Sequence, residues 1–212
     1  MKIKQININK FIPLFSVISV LIIWELFTII AKTDTFILPR FSEVVVELFN
    51  NRAIVFKHTL YTVGEAIIGL IIAVFLSFSV ATLLDRFKKV KAFIYPILAI
   101  SQTIPLMAIA PLLIIWFGLG VDAKVLIVVL VCFFPITINI LGGFDEIDKD
   151  ELDLFKTMKS STKDLYLKLK IPYSLPYFFS GLKIATTYAV LGALIGEYMG
   201  GSYGLGIYIS RA

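Results

Sequence analysis

VLIVVLVCFFPITINILGGF, residues 125–144, runs for twenty residues without an Asp, Glu, Lys or Arg. That is the length a helix needs to cross about 30 Å of hydrocarbon, at roughly 20 apolar residues per crossing. Four more stretches read the same way. Residues 11–31 are interrupted only by Glu25, residues 59–84 only by Glu65, and residues 177–196 only by Lys183. Residues 92–121 carry no formal charge, but Pro96, Pro105 and Pro111 interrupt them. Together these give an all-α, polytopic transmembrane helix bundle. Its five spans fall at about 11–31, 59–84, 92–118, 125–144 and 177–196, within one domain covering residues 1–212.

Composition agrees. Of 212 residues 58% are hydrophobic and 17% charged, and the mean hydropathy is +0.91. A water-soluble domain of this length lacks the polar surface such a composition would leave uncovered. The 92–121 run is too long for one upright helix, so a bent span followed by a short helix is expected. Its prolines free backbone carbonyls that only neighbouring protein can satisfy, which places the segment inside the bundle. The first span ends in FTIIAKTD, which lacks a small-x-small cleavage site, so it reads as a true span or a signal anchor.

Lys and Arg set the expected orientation. Thirteen of the 20 fall before the first span, between the second and third, or between the fourth and fifth. The positive-inside rule puts those segments and the N-terminus in the cytoplasm. The net charge of +5 is then accounted for by topology and anionic lipid at the bilayer edge, with no nucleic acid implied. The lone Cys132 and lone His58 have no companions for a disulfide or a metal site. Phosphate-loop, nucleophile-elbow and HExxH patterns are missing, so the chain has no visible means of hydrolysing ATP and no expected cofactor or metal of its own.

DLFKTMKSSTKDLYLKLKIPYSLPYFFSGLKI, residues 153–184, is the polar exception. The segment 145–170 is long enough for two short helices. Ser161 or Thr162 suits an N-cap, Leu165 and Leu169 share a face, and Leu154, Phe155 and Met158 form a second apolar group. The segment reads either as an amphipathic connector or as a docking element for a cytoplasmic partner. Pro172 and Pro176 are expected to stop the helix and re-aim the chain into the membrane.

This stretch resembles the signature loop of the permease subunits of ATP-binding-cassette importers. The family pattern has an acid, two small residues, a glycine six after the acid, and an I-x-L-P ten residues on. Asp153 falls on the acid, Leu154 and Phe155 on the small pair, Lys159 on the glycine, and Leu169, Ile171 and Pro172 on the apolar pair and proline. The IPYSLPYFFSGLKIA half keeps the family form. Leu154, Phe155 and Lys159 depart from it, with Lys159 required to take a turn that suits glycine. The resemblance extends along the chain, through FILPRFSEVVVELF (36–49), SQTIPLMAIAPLLIIWFGLG (101–120) and GLKIATTYAVLGALIGEYMGGSYGLGIYI (181–209). These are similar to permeases for sulfonates, nitrate, taurine, riboflavin and above all the thiamin pyrimidine precursor.

The resemblance implies several things. ATP is used by separate ATP-binding subunits docked on 145–170, with Asp153, Leu154, Phe155, Lys159, Ser160, Ser161, Leu165 and Pro172 as the coupling residues. A second permease copy completes the pathway as a homodimer, and an extracytoplasmic solute-binding protein delivers a small polar solute. The family also returns through a sixth span, so this chain is expected to be a fragment or to terminate early. Gly192, Gly196 and Gly200 recur every four residues up to Gly204, a spacing that lets helices approach closely. With Glu197 they are candidates for the pathway wall or subunit interface, or equally for packing within one subunit. An ion-coupled carrier would show buried charge pairs or broken-helix repeats, and a membrane enzyme a convergent polar constellation. Neither is evident in the sequence.

Overall fold

The computed structural model describes residues 12–211; the basic residues Lys2, Lys4 and Lys10 and the first residue of the expected first span lie outside them. All regular structure among the described residues is helical. The chain divides into two compact units, Met1–Phe56 and Lys57–Ala212.

The first unit contains α1 (Ile12–Ala31) and α2 (Phe41–Asn50). α1 is apolar on all sides and exposes nearly every side chain, as a lipid-facing helix does. The chain leaves it through Lys32 at φ +48°. Glu25 then accepts from the Ser42 hydroxyl at 2.8 Å and from its backbone N–H at 3.1 Å. A carboxylate there satisfies an orphan donor of the first turn of α2 and meets the positive end of its dipole. Trp24 donates to the Pro39 carbonyl at 3.1 Å and packs on Phe41, closing the same corner.

From Arg52 a single 35-residue helix, α3, runs to Arg86. At 1.5 Å per residue it is about 50 Å long, well beyond a hydrocarbon core, and it takes in Arg52 and Lys57, which the sequence placed in a loop. α4 (Lys88–Ser101) and α5 (Leu106–Phe117) follow. They form a pair bent by 104°, and Gly118 at φ +84° ends the second. The expected bend is therefore present. The expected burial is not: within this chain α4 buries only Leu98, and α5 only Ala110 and Leu113. Next comes α6 (Val121–Asp145), then α7 (Lys149–Thr157), α8 (Thr162–Leu165), a π-helical turn at Tyr166–Lys170, α9 (Ile171–Met199) and α10 (Leu205–Arg211). Among the described residues four helices are long and apolar enough to cross a membrane, five if the bent pair counts as one span.

The second unit is built around α6, whose buried residues face more than one neighbour. α9 lies along it with a stripe of small residues, Gly181, Ala185, Ala189, Gly192, Ala193 and Gly196. Apolar helices gain little by hiding from lipid, so close approach and dispersion hold such a pair. Cys132 Sγ reaches the Ala185 carbonyl at 3.3 Å across the seam. α3 presents a matching stripe, Ala66, Gly69, Ala73, Ser77 and Ala81, and its Ser77 hydroxyl donates to the Phe133 carbonyl at 3.1 Å.

One expectation is overturned. Pro172 and Pro176 do not stop a helix; the chain is continuously helical from Thr162 to Met199. Pro172 falls at the start of α9, directly after the π turn, where the Ile171 N–H reaches back five residues to Tyr166. In a regular α-helix the Pro172 ring would meet the carbonyl of Lys168; the wider turn removes that clash.

The small stripe is directly testable. A Cβ on Gly181 would lie 3.0 Å from the Pro135 carbonyl and 3.2 Å from the Ile136 Cα, both backbone atoms of α6. A Cβ on Gly64 would meet nothing within 4 Å. Gly181→Ala should lower stability by about 1–3 kcal/mol. Gly64→Ala should leave it unchanged or raise it by about 1 kcal/mol. Thermal unfolding in detergent reads both, and equal effects would contradict the packing described.

Candidate functional site

Two polar constellations interrupt the second unit, one at each end of α9. The first contains the sequence-predicted segment 145–170. α7 exposes Leu154, with Phe155 half-buried, and Met158 just after it is exposed too, so an apolar edge faces outward between charged residues. Asp153 is exposed on the same helix. The chain reverses at Lys159, which takes φ +52°. Here Ser160 N–H reaches the Phe155 carbonyl at 3.2 Å, over the end of α7. A side chain in this left-handed conformation costs about 1–2 kcal/mol, which glycine avoids. Ser161 then caps α8 by accepting from the Asp164 N–H at 3.1 Å, and Asp164 pairs with Lys168 at 2.6 Å. Leu165 is half-buried and Pro172 exposed. The predicted residues thus lie on one helix–turn–helix, but they do not all share a face.

What fastens this element to the bundle was not read from the sequence. Asp85, at the end of α3, accepts from the Tyr166 hydroxyl at 2.6 Å and from the Lys170 ammonium, through one oxygen. Tyr166 packs edge-on against Phe144 of α6, and Lys170 sits over both rings. Lys91 of α4 pairs with Asp145 at the end of α6, and the Tyr173 hydroxyl donates to the Glu146 carbonyl at 3.1 Å. The π turn after α8 is thus tied to α3 and α6, and α4 to α6, partly through charge-assisted contacts, which are shorter and stronger than neutral ones. Lys170 had been counted only as an orienting charge. The signal available was Asp85, an acid at a span end.

The second constellation lies where α9 ends. Glu197 is fully buried. It accepts from the Thr62 hydroxyl and from the Gly206 N–H, each at 2.7 Å. Thr62 Oγ1 in turn accepts from the Leu205 N–H at 2.9 Å, and the Gly204 N–H donates to His58 Nδ1 at 3.0 Å. Glu197 thus holds the start of α10 while α3 holds the turn before it. Gly204, at φ +122°, presses its backbone against the Glu197 carboxylate, where any Cβ would collide.

Beside it, Lys124 of α6 reaches Glu65 of α3 at 3.2 Å and the Tyr203 carbonyl at 3.3 Å, with both charged side chains 5% exposed. The span limits place Lys124 just outside 125–144 and Glu65 six residues inside 59–84, both within reach of a membrane edge. The structure instead makes them a buried pair, and Glu65 Oε2 is left without a partner.

Gly192 and Gly196 face α6 of the same chain, against Val128 and Lys124 respectively, which is the within-subunit packing alternative. Gly200 follows the end of α9 and lies against Leu119. Among the described residues no group of three or more His, Cys, Asp or Glu is placed to hold a metal ion.

The chain is also similar to known sequences along most of its length. The pattern of the family described as "Binding-protein-dependent transport system inner membrane component" matches residues 66–212. The chain is 38% identical over 200 residues to a probable ABC transporter permease protein of Haemophilus influenzae, covering 94% of this chain and 82% of that one. It is 34% identical over 200 residues to the formylaminopyrimidine transport permease protein of Halalkalibacterium halodurans, covering 94% and 79%. It is 29% identical over 194 residues to the riboflavin transport system permease protein of Chloroflexus aurantiacus, covering 91% and 72%.

Two substitutions test the geometry. Lys159→Gly should relieve the left-handed strain and raise the unfolding midpoint, a gain of about 1 kcal/mol; a lower midpoint would contradict the strained turn. Lys124→Met should leave Glu65 buried without its cation and destabilise by about 3–5 kcal/mol. Adding Glu65→Leu to Lys124→Met should recover most of that loss. Additive damage in the double variant would show that the two do not act as a pair.

Proposed function

The chain belongs to the binding-protein-dependent transport family, the multi-pass permease subunits of ABC importers, and on that footing we propose that the solute it passes is a thiamin-precursor pyrimidine of the formylaminopyrimidine kind. As a permease it is a transport subunit and not an enzyme; family membership implies ATP-binding subunits and a solute-binding protein as its partners. The observation that carries the solute assignment is the 34% identity to a formylaminopyrimidine permease across 94% of this chain. A riboflavin permease at 29% identity supports a second reading, also a flat nitrogen heterocycle. Sulfonate and nitrate permeases match shorter stretches, 74% and 54% of the chain.

In the proposed mechanism two copies of the chain pair in a bacterial inner membrane with the N-terminus and the 145–170 segment in the cytoplasm. The ATPases seat on the exposed Leu154–Met158 edge of α7 and on α8. ATP used by those subunits draws them together and displaces this element. The contacts of Asp85, Tyr166, Lys170 and Lys91 carry the displacement into α3, α4 and α6. The bundle then alternates between inward- and outward-open packings, each favoured by a different state of the ATPases. The turn at 200–204 faces the loaded binding protein. An ion-coupled carrier is disfavoured, because the buried Glu65–Lys124 pair fastens a turn by way of the Tyr203 carbonyl.

Two measurements test this. The ATPase subunit should co-purify with the native protein and be lost on deleting residues 153–168; retention would reject the seating. The partner binding protein should be stabilised thermally by formylaminopyrimidine. Stabilisation by a sulfonate or nitrate instead would overturn the solute.

A further inference from the structure

The break between α4 and α5 opens a cavity of about 290 Å³. Its position is set by chemistry as much as by shape. Ser101, Gln102 and Thr103 supply polar side chains in the middle of the charge-free 92–121 run, at the point where the two helices bend by 104°. Across the cavity stand Phe134 of α6 and Tyr188 of α9.

The polar groups differ in what they have left to give. The Ser101 hydroxyl is spent on the Ile97 carbonyl and that of Thr103 on the Ile100 carbonyl, each at 2.7 Å. The Gln102 amide and the Tyr188 hydroxyl have no hydrogen-bond partner among the described residues. Both line the same cavity from its open side, Gln102 in the break after α4 and Tyr188 on α9, and both are exposed within the single chain. Polar groups in hydrocarbon are expensive when unmatched, and in membrane proteins they mark pathways.

No Asp, Glu, Lys, Arg or His lines the cavity. A sulfonate, nitrate or bicarbonate stripped of water here would find no counter-charge, which is prohibitive for an anion. A neutral solute is not penalised. Glutamine offers a donor and an acceptor side by side in one plane, the complement of a ring nitrogen next to an exocyclic amine. Phe134 and Tyr188 add aromatic faces, on which flat heterocycles stack whatever their substituents. The volume sits at the small end of the roughly 300–1,000 Å³ range of small-molecule sites, which suits a solute of one or two rings.

We infer that this cavity is a solute subsite within each permease subunit, selective for a neutral planar nitrogen heterocycle bearing an adjacent donor and acceptor, with Gln102 reading that edge and Tyr188 supplying a second hydrogen bond. The inference rests on the permease reading and deepens it. It also gives a reason, independent of sequence similarity, for a pyrimidine over the anions that related permeases are named for.

The test uses the complete importer, with its ATPase and binding-protein subunits, in proteoliposomes. Uptake of labelled formylaminopyrimidine is normalised to assembled complex. Gln102→Leu should reduce uptake roughly tenfold, the scale of one unpaired buried hydrogen-bonding group. Gln102→Asn, which keeps the amide, should recover part of that loss. Tyr188→Phe removes a single oxygen and keeps the ring, so it serves where Gln102→Leu fails to assemble; it should reduce uptake several-fold. If the native importer carries the pyrimidine and Gln102→Leu and Tyr188→Phe match it per complex, the subsite is overturned while the solute assignment stands. If the native importer carries another neutral heterocycle, and the variants lose that flux, the subsite stands and the named solute falls. An importer that carries only a sulfonate, nitrate or bicarbonate would overturn both.

Discussion

The close approach of α9 to α6 is the constraint on which the second unit depends. Helices in lipid have no large hydrophobic term to press them together, so they hold where backbones can come near enough for dispersion to add up. Gly181, Ala185, Ala189, Gly192, Ala193 and Gly196 make α9 nearly smooth on one side. α6 answers with branched side chains, Ile127, Val128, Ile136 and Ile140, all fully buried. With that seam fixed, α3 brings its own small stripe to the same core. The bent α4–α5 pair is left on the outside, with a cavity where its two halves separate.

Charge is handled at the ends of this seam and kept out of its middle. At one end Lys124 and Glu65 neutralise each other beside Glu197, and the three hold the turn that starts α10. At the other, Asp85 gathers a tyrosine and a lysine onto one oxygen and ties the 145–170 segment to the body. Buried ion pairs add little net stability compared with apolar packing, but they are intolerant of losing one member. Such contacts define which arrangement is allowed more than how stable it is, which suits the two packings of the proposed mechanism.

Much of the architecture was legible in the chain. Runs free of charge gave the spans, prolines gave the bend at 102–105, and Ser161 was readable as a cap. The turn at Lys159 was legible only through its place in a family pattern that has glycine there. What the sequence hid were pairings between distant positions. Glu65 and Lys124 are 59 residues apart, and Asp85 and Lys170 are 85 apart. Each one alone reads as an ordinary edge charge, because hydropathy averages over a window and cannot say which edge charges meet. Pro172 and Pro176 misled for a related reason. Their helix-breaking tendency is a property of regular α geometry, and the turn before them is not regular. Glu197 stands out for its position, but its partners Thr62 and Gly206 come from a helix far upstream and from the short helix just downstream.

The π turn at Tyr166–Lys170 also has an evolutionary side. Each residue added to a helix rotates everything beyond it by about 100°. The wide turn absorbs one extra residue, so α8 and the small stripe from Gly181 to Gly196 keep their register across a local irregularity. Deleting a single residue between 166 and 170 would close the wide turn to a regular one and keep the stripe facing α6, but it would bring the Pro172 ring against the carbonyl four residues before it. The extra residue and Pro172 therefore belong together: a chain one residue shorter here would have to give up the proline, while Tyr166 and Lys170 would still be needed to grip Asp85.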